Sequence, residues 1–273
     1  MSLRINLNTA ALNAHRNLQS TDQALGTSIE RLSSGFRINR AADDPAGLAI
    51  SENLRAQVTG LGQAISNSSD AVNMIKTAEG ALSEVHTLLR TMRNLALHAA
   101  NTGTNDDVAL DADQAQVVSA ISALDRISAN TQFGTKVLLD GTATGLEFQI
   151  GANAGQVTCV DIDSVAATDL GVDSIDLSAG GDAQAAIGAI DAAISLVSTL
   201  RATLGASQRD LESNINTLGV AKENISASES SIRDADMAAE MVAFTRNQIL
   251  LQAGTAMLTQ ANQAPQALLS LLK

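Results

Sequence analysis

The sequence predicts a mainly α fold, in which long coiled-coil helices from both termini pack together and a small β-hairpin region occupies the middle of the chain. Three observations predict it. Met237, Phe244, Leu251, Leu258, Pro265 and Leu272 recur every seven residues, with Met241 and Leu269 on an offset row, and that spacing is the seam of a coiled coil. Leu18, Leu25 and Leu32, preceded by Ala11, keep the same period at the other end. Finally, the 273 residues include no Trp or Tyr and 4 Phe, so Ala, Leu, Ile and Val must fill an interior of the thin kind that suits packed helices.

The elements follow in order. Asn8 or Thr9 can cap a first helix that reaches about Ser33, where Ser34-Gly35 breaks it. Gly35 to Asp43 reads as a linker carrying Arg37 and Arg40. Asp44-Pro45 then starts a second helix, since Asp accepts at the cap and Pro lacks an N–H where none is needed. Ile50, Leu54, Val58, Leu61, Ile65, Val72, Ile75, Leu82, Leu89 and Met92 hold helical spacing to about Ala100. Asn101 to Asp107 is a turn, and Val108 to Asn130 a shorter helix.

After Phe133-Gly134 the pattern changes. Leu146, Phe148 and Ile150 alternate, Gly151 to Gly155 supplies turn residues and Val157 to Ile162 is β-prone, which predicts a hairpin. Residues 163 to 182 are polar and predict irregular structure or a second small hairpin. From Ala185 to Ile232 the positions 187, 190, 194, 197, 201, 204, 208, 211, 215, 218, 222, 225, 229 and 232 form a heptad seam, interrupted at Arg201, Gln208, Lys222 and Glu229.

Charge and composition exclude several function classes. A net charge of -12 opposes a nucleic-acid binder, which needs a basic face. Between Lys136 and Arg201 there is no basic residue but a row of acids from Asp140 to Asp191, so the middle third is expected to face solvent; the acids lack the spacing of an EF-hand. Cys159 is the single cysteine and forms no internal disulfide. Met1 to Asn8 lacks the apolar region of a secretory signal, and no run of 18 apolar residues exists, so membrane spanning is not expected.

No enzyme site is legible either. His15, His86 and His98 have no partners at metal-ligand spacing, Asp43-Asp44 reads as linker and helix cap rather than a catalytic pair, and Gly151 to Gly155 lacks the strand–glycine–helix setting of a phosphate loop. Neither metal nor cofactor is expected.

Residues 237 to 272 carry two charges, Glu240 and Arg246, yet have no membrane-length apolar run; such a segment is built to be buried by other protein. Two lone helices bury too little to offset the entropy of ordering them. Both ends are therefore expected to be largely disordered in the monomer and to fold on assembly, with Leu18, Leu25, Leu32, Met237, Met241, Phe244, Leu251, Leu258, Leu269 and Leu272 at the subunit interface. Arg31, Arg37 and Arg40 are candidates for ion pairs to a neighbouring subunit, solvation being the alternative.

The stretch Leu32-Ser-Ser-Gly-Phe-Arg-Ile-Asn-Arg-Ala-Ala-Asp-Asp-Pro-Ala-Gly-Leu-Ala-Ile50 resembles the N-terminal signature of bacterial flagellin. Arg233-Asp-Ala-Asp-Met-Ala-Ala-Glu-Met, Gln248-Ile-Leu-Leu-Gln-Ala-Gly-Thr-Ala-Met-Leu-Thr-Gln-Ala-Asn-Gln and the ending Pro265 to Leu272 are similar to its terminal block. The likeness covers about residues 1 to 162 and 185 to 273, including Ile150-Gly-Ala-Asn-Ala-Gly155.

The resemblance implies a structural homopolymer: an inner, filament-core helical domain from residues 1–40 and 235–273, and a rod domain over 41–234 with its hairpin region near 137–182. It implies export unfolded through the flagellar type III apparatus and an extracellular place in the flagellum that serves motility. Its implied partners are a chaperone on the C-terminal helix, a cap and hook-junction proteins, and a host innate receptor. Where the family's receptor pattern is Arg-x-Arg-Glu-Leu, this chain reads Thr91-Met-Arg-Asn-Leu95, matching at Arg93 and Leu95. The alternatives are a related axial or junction protein, or a type III secreted translocator.

Overall fold

The computed structural model describes residues 8–271 apart from Thr102 and Thr104, and side chains as far as Gln263. Five helices, α1 (Thr9–Ser34), α2 (Pro45–Ala99), α3 (Asp107–Asn130), α4 (Ala183–Arg233) and α5 (Met237–Leu271), account for most of them. Between α3 and α4 lie β1 (Gln132–Phe133), β2 (Lys136–Val137), β3 (Leu146–Gln149) and β4 (Val157–Val160). The fold is mainly α, with small antiparallel pairs in the middle. The chain divides into two compact units, Met1–Gln57 with Asn224–Lys273, and Val58–Glu223. These bounds lie further into the chain than 40/41 and 234/235, the linker and the first residues of α2 grouping with the terminal helices.

The middle unit holds the core. On α2, Ala71, Ile75, Ala78, Leu82, Val85, Leu89, Met92 and Ala96 are buried at alternating steps of four and three, the spacing of one helix face. Val117, Ala120 and Leu124 of α3 and Ile190, Val197, Leu204 and Leu211 of α4 meet it. The second row on α4 corrects the predicted seam. Ala186, Ala193 and Leu200 are buried, whereas positions 187, 194, 201, 208 and 215 are half-buried flanks. The polar interruptions Arg201 and Gln208 therefore stand beside the seam and do not break it. By length and composition, α4 alone among the described residues could cross a membrane, its mean hydropathy reaching 1.5.

The predicted hairpin forms, with Leu146 opposite Val160 and Gln149 opposite Val157. Its turn is fixed between two helices, because Asn67 Nδ2 of α2 donates to the Gln149 carbonyl at 3.1 Å and Asn214 Nδ2 of α4 to that of Ile150 at 3.1 Å. Gly60 permits the close approach: a Cβ there would lie 3.0 Å from the Ala152 Cβ. A second, unpredicted ribbon pairs β1 with β2 around Gly134, whose φ of 63° suits a glycine.

The expectation that the middle third faces solvent is corrected. Residues 161–182 form no strand, yet Ile162, Val165, Ala167, Leu170, Val172, Ile175 and Leu177 are all buried while Asp161, Asp163, Asp169, Asp173 and Asp176 point outward. Side chains of α3 satisfy the segment's backbone. Gln114 donates from Nε2 to the Ile175 carbonyl at 3.1 Å and accepts at Oε1 from the Leu177 N–H at 2.7 Å. Asp125 accepts from the Ala167 N–H at 2.9 Å. A segment that pairs with no strand is thereby held flat against the core.

Candidate functional site

In the terminal unit, α1 and α5 pack against each other. The less exposed face of α1 carries Ala11, Leu18, Leu25 and Leu32, as the heptad predicts, together with an offset row of Ala14, Thr21 and Ser28. On α5 the corresponding face carries Phe244, Leu251 and Leu258 with Glu240, Asn247, Gly254 and Ala261. The helices run antiparallel, since Arg31 faces Glu240, Leu18 faces Gly254, and Asn8 faces Ala261. Small residues on both offset rows let the helices approach closely: a Cβ at Gly254 would fall 2.9 Å from Leu18 Cδ1. The same smallness leaves little apolar area to bury. Leu18, Leu25, Leu32, Leu251, Leu258 and Phe244 remain half-buried, and the most enclosed of the described residues of these two helices are Ser28 and Asn247.

Sequence reasoning put Met237 and Met241 on this seam, and the structure removes them from it. They are 47% and 51% exposed and open onto another face of α5, with Val242 at 69%, Ile249 at 60%, Leu250 at 50% and Met257 at 65%. Met241, Val242, Thr245, Arg246, Ile249 and Leu250 line a shallow apolar groove there. Leu12 and Ile29 stand out from α1 in the same way. Leu272 lies outside the described residues, and so does the side chain of Leu269.

The linker is built from named contacts. Gly35 ends α1 with φ 77°, a left-handed conformation in which its N–H reaches the Arg31 carbonyl at 2.8 Å. Phe36 then bridges Asp234, its ring 4.8 Å beneath the Arg233 guanidinium, which also bonds Glu52 at 2.6 Å. Asp43 Oδ2 accepts from the Arg40 N–H at 2.9 Å and the Asn39 N–H at 3.1 Å, and these donors hold its carboxyl below the usual aspartate range. Asp44 caps α2 through the Gly47 N–H at 2.9 Å.

Arg31 in the last turn of α1 and the linker arginines Arg37 and Arg40 each find a partner within the chain. Arg31 lies 3.7 Å from Glu240 with its Nε enclosed and unpaired, Arg37 reaches the Ile232 carbonyl, and Arg40 bonds Glu30 at 2.8 Å. In the middle unit Arg93 is bidentate to Asp191, at 2.5 and 3.4 Å, and Leu95 packs half-buried beside the core. Asp191 holds the Arg93 guanidinium above its ordinary value.

The residues that sequence reasoning missed are the small and polar ones. Ala14, Thr21 and Ser28, like Glu240, Asn247, Gly254 and Ala261, are themselves seven apart, a signal hidden by searching for large apolar side chains. Among the described residues no three His, Cys, Asp or Glu side chains gather as metal ligands. His98 Nδ1 lies 2.6 Å from Asp113 Oδ2, and Cys159 is exposed on β4.

Comparison with known proteins bears on both ends of the chain. A family profile described as the bacterial flagellin N-terminal helical region matches residues 5–144, and one described as the C-terminal helical region matches residues 187–272. A flagellin of Halalkalibacterium halodurans is 48% identical over 272 residues, which cover 98% of this chain and 99% of that protein. Among solved structures, Bacillus cereus flagellin superposes with a TM-score of 0.51 at 28% identity, covering 56% of this chain and 88% of the other. A putative flagellar hook-associated protein from Vibrio parahaemolyticus reaches a TM-score of 0.60 over 70% of this chain and 100% of its own; at 16% identity it shares the fold. With both of its helical regions matched and nearly its whole length aligned, the chain belongs to the bacterial flagellin family, whose members are structural proteins of the flagellar filament and not enzymes.

Proposed function

We propose that this chain is the subunit of an extracellular flagellar filament, exported unfolded by the type III route, and that its terminal helices become ordered when copies of it meet. The observation that carries this reading is the row of large apolar side chains on the outer face of α5, Met241, Val242, Ile249, Leu250 and Met257, unused by the α1–α5 contact. A face of this kind costs free energy in water until another protein covers it. Coupled folding and binding also keeps the monomer from growing without a nucleus or cap.

The same face is the proposed seat of an export chaperone before assembly, with cap and hook-junction proteins as neighbours at the filament ends. Arg31, with its loose partner and enclosed Nε, is of these three arginines the one best placed to take an acid from a neighbouring subunit, as Arg37 and Arg40 would to a lesser degree. A host innate receptor reading Arg93 and Leu95 would first have to separate Arg93 from Asp191. The axial-junction reading draws support from the Vibrio fold match alone and stands second; a translocator has no supporting observation.

Truncation tests the proposal. Removing residues 1–20 or 254–273 is expected to abolish growth on preformed seeds while the middle unit keeps its cooperative melting. Growth of either truncated chain at the parent rate would overturn it. Hydrogen exchange on the monomer adds a direct check, with weak protection expected in α1 and α5 and strong protection in α2.

A further inference from the structure

α5 runs through Pro265, and a proline has no N–H to give the carbonyl one turn earlier. That carbonyl belongs to Ala261. It receives instead a hydrogen bond from Asn8 Nδ2 at 2.8 Å, a side chain 253 residues away in sequence. The same carboxamide accepts at Oδ1 from the Ala11 N–H at 3.0 Å and so caps α1. Because the cap requires an acceptor, the amide's donor end is the one that faces Ala261.

We infer that Asn8 and Pro265 together form a pin that fixes the register of the antiparallel α1–α5 pair. The heptads cannot fix it by themselves. Leu18, Leu25 and Leu32 repeat every seven residues, as do Phe244, Leu251 and Leu258, so a slip of one heptad puts large apolar groups opposite one another again. Only features that do not repeat distinguish the correct pairing, as a single buried Asn does in other coiled coils. The carbonyl freed by Pro265 is such a feature, because proline occurs once in this helix. Asparagine suits the pin because one planar group both accepts for the cap and donates to the freed carbonyl; Asp offers only acceptors, and Ser lacks the reach. Asn8 is thus a positioning residue for assembly, and this inference rests on the reading of the terminal helices as an assembly element.

The test is a double-substitution cycle on the full chain. N8D keeps the cap and removes the donor; P265A restores the helical N–H and makes the donor redundant. Filaments of N8D are expected to depolymerise at a midpoint about 2–4 °C below the parent, and in the P265A background N8D should cost less than half of that shift. Register is read separately by joining L18C to G254C with a short bismaleimide in C159S chains, where N8D should lower the yield at least twofold in favour of the slipped pair A11C with G254C. An N8D midpoint equal to the parent's, an equal loss in both backgrounds, or an unchanged cross-link pattern would each overturn the pin. If the parent chain forms no filaments, the assembly reading fails independently, and the same cycle read by thermal unfolding of the soluble chain decides the pin.

Discussion

The middle unit and the terminal unit use the same heptad spacing and reach different results. In the middle unit the seam of α2 meets α3, α4 and the strap of residues 161–182, and Ile75, Leu82, Leu89 and Ile190 are wholly removed from water. In the terminal unit two helices have only each other on their inner faces, and their outer faces carry Met241, Val242 and Met257 unpaired. Periodicity therefore reports which face of a helix is apolar, while the number of surrounding elements decides whether that face is covered. A two-helix pair with half-buried leucines is a core that awaits further layers.

The largest effect expected from this contrast comes from matched truncations. Leu82→Ala should cost the monomer about 2–5 kcal/mol in denaturant unfolding. Leu251→Ala should leave monomer stability within about 0.5 kcal/mol and yet stop growth on seeds. If Leu251→Ala destabilised the monomer as much as Leu82→Ala does, the two units would be equally self-sufficient and the contrast would fail.

A smaller effect sharpens the account of the middle unit. Gln114→Ala strands the Leu177 N–H and the Ile175 carbonyl beneath the strap, and should cost about 1–3 kcal/mol. Limited proteolysis should then cut first within residues 161–182. The parent digestion pattern in that variant would mean that the strap is held without the Gln114 bonds.

The smallest effect concerns pH. Asp43 has its carboxyl lowered by the Arg40 and Asn39 N–H groups, so its contribution is complete above the unfolded value and is lost as pH falls through the lower folded one. The Arg40 amide signal in an NMR titration should therefore stay constant through neutrality and move only in strong acid. D43N should abolish that movement.

The helices, their caps and the β3–β4 hairpin were legible because each rests on local chemistry: Asp44-Pro45 starts a helix, Gly35 ends one, and Leu146, Phe148 and Ile150 alternate. The strap was not. Its buried residues, from Val160 and Ile162 through Val165, Ala167, Leu170, Val172, Ile175 and Leu177, are separated alternately by two and three positions, a rhythm that matches neither strand nor helix. On the α1–α5 seam, Leu18, Leu25 and Leu32 were legible because they are large and recur every seven residues. The offset row was misread, since Met241 looked like a better seam residue than Gly254 or Ala261, whereas a Cβ at Gly254 would fall 2.9 Å from Leu18 Cδ1 and Met241 is exposed.

The way α3 holds the strap has a consequence for how such a protein can vary. Gln114 and Asp125 grip main-chain atoms, and the apolar half of the strap fills space beneath it, so the outward carboxylates of Asp163, Asp169 and Asp173 are not needed to keep the segment down, whereas Asp176 accepts from the Ser178 N–H at 2.9 Å. The outward chemistry of this segment is thereby uncoupled from its folding. Asp163, Asp169 and Asp173 could be exchanged for neutral or basic groups, changing what the surroundings encounter, while the interior beneath remains as it is.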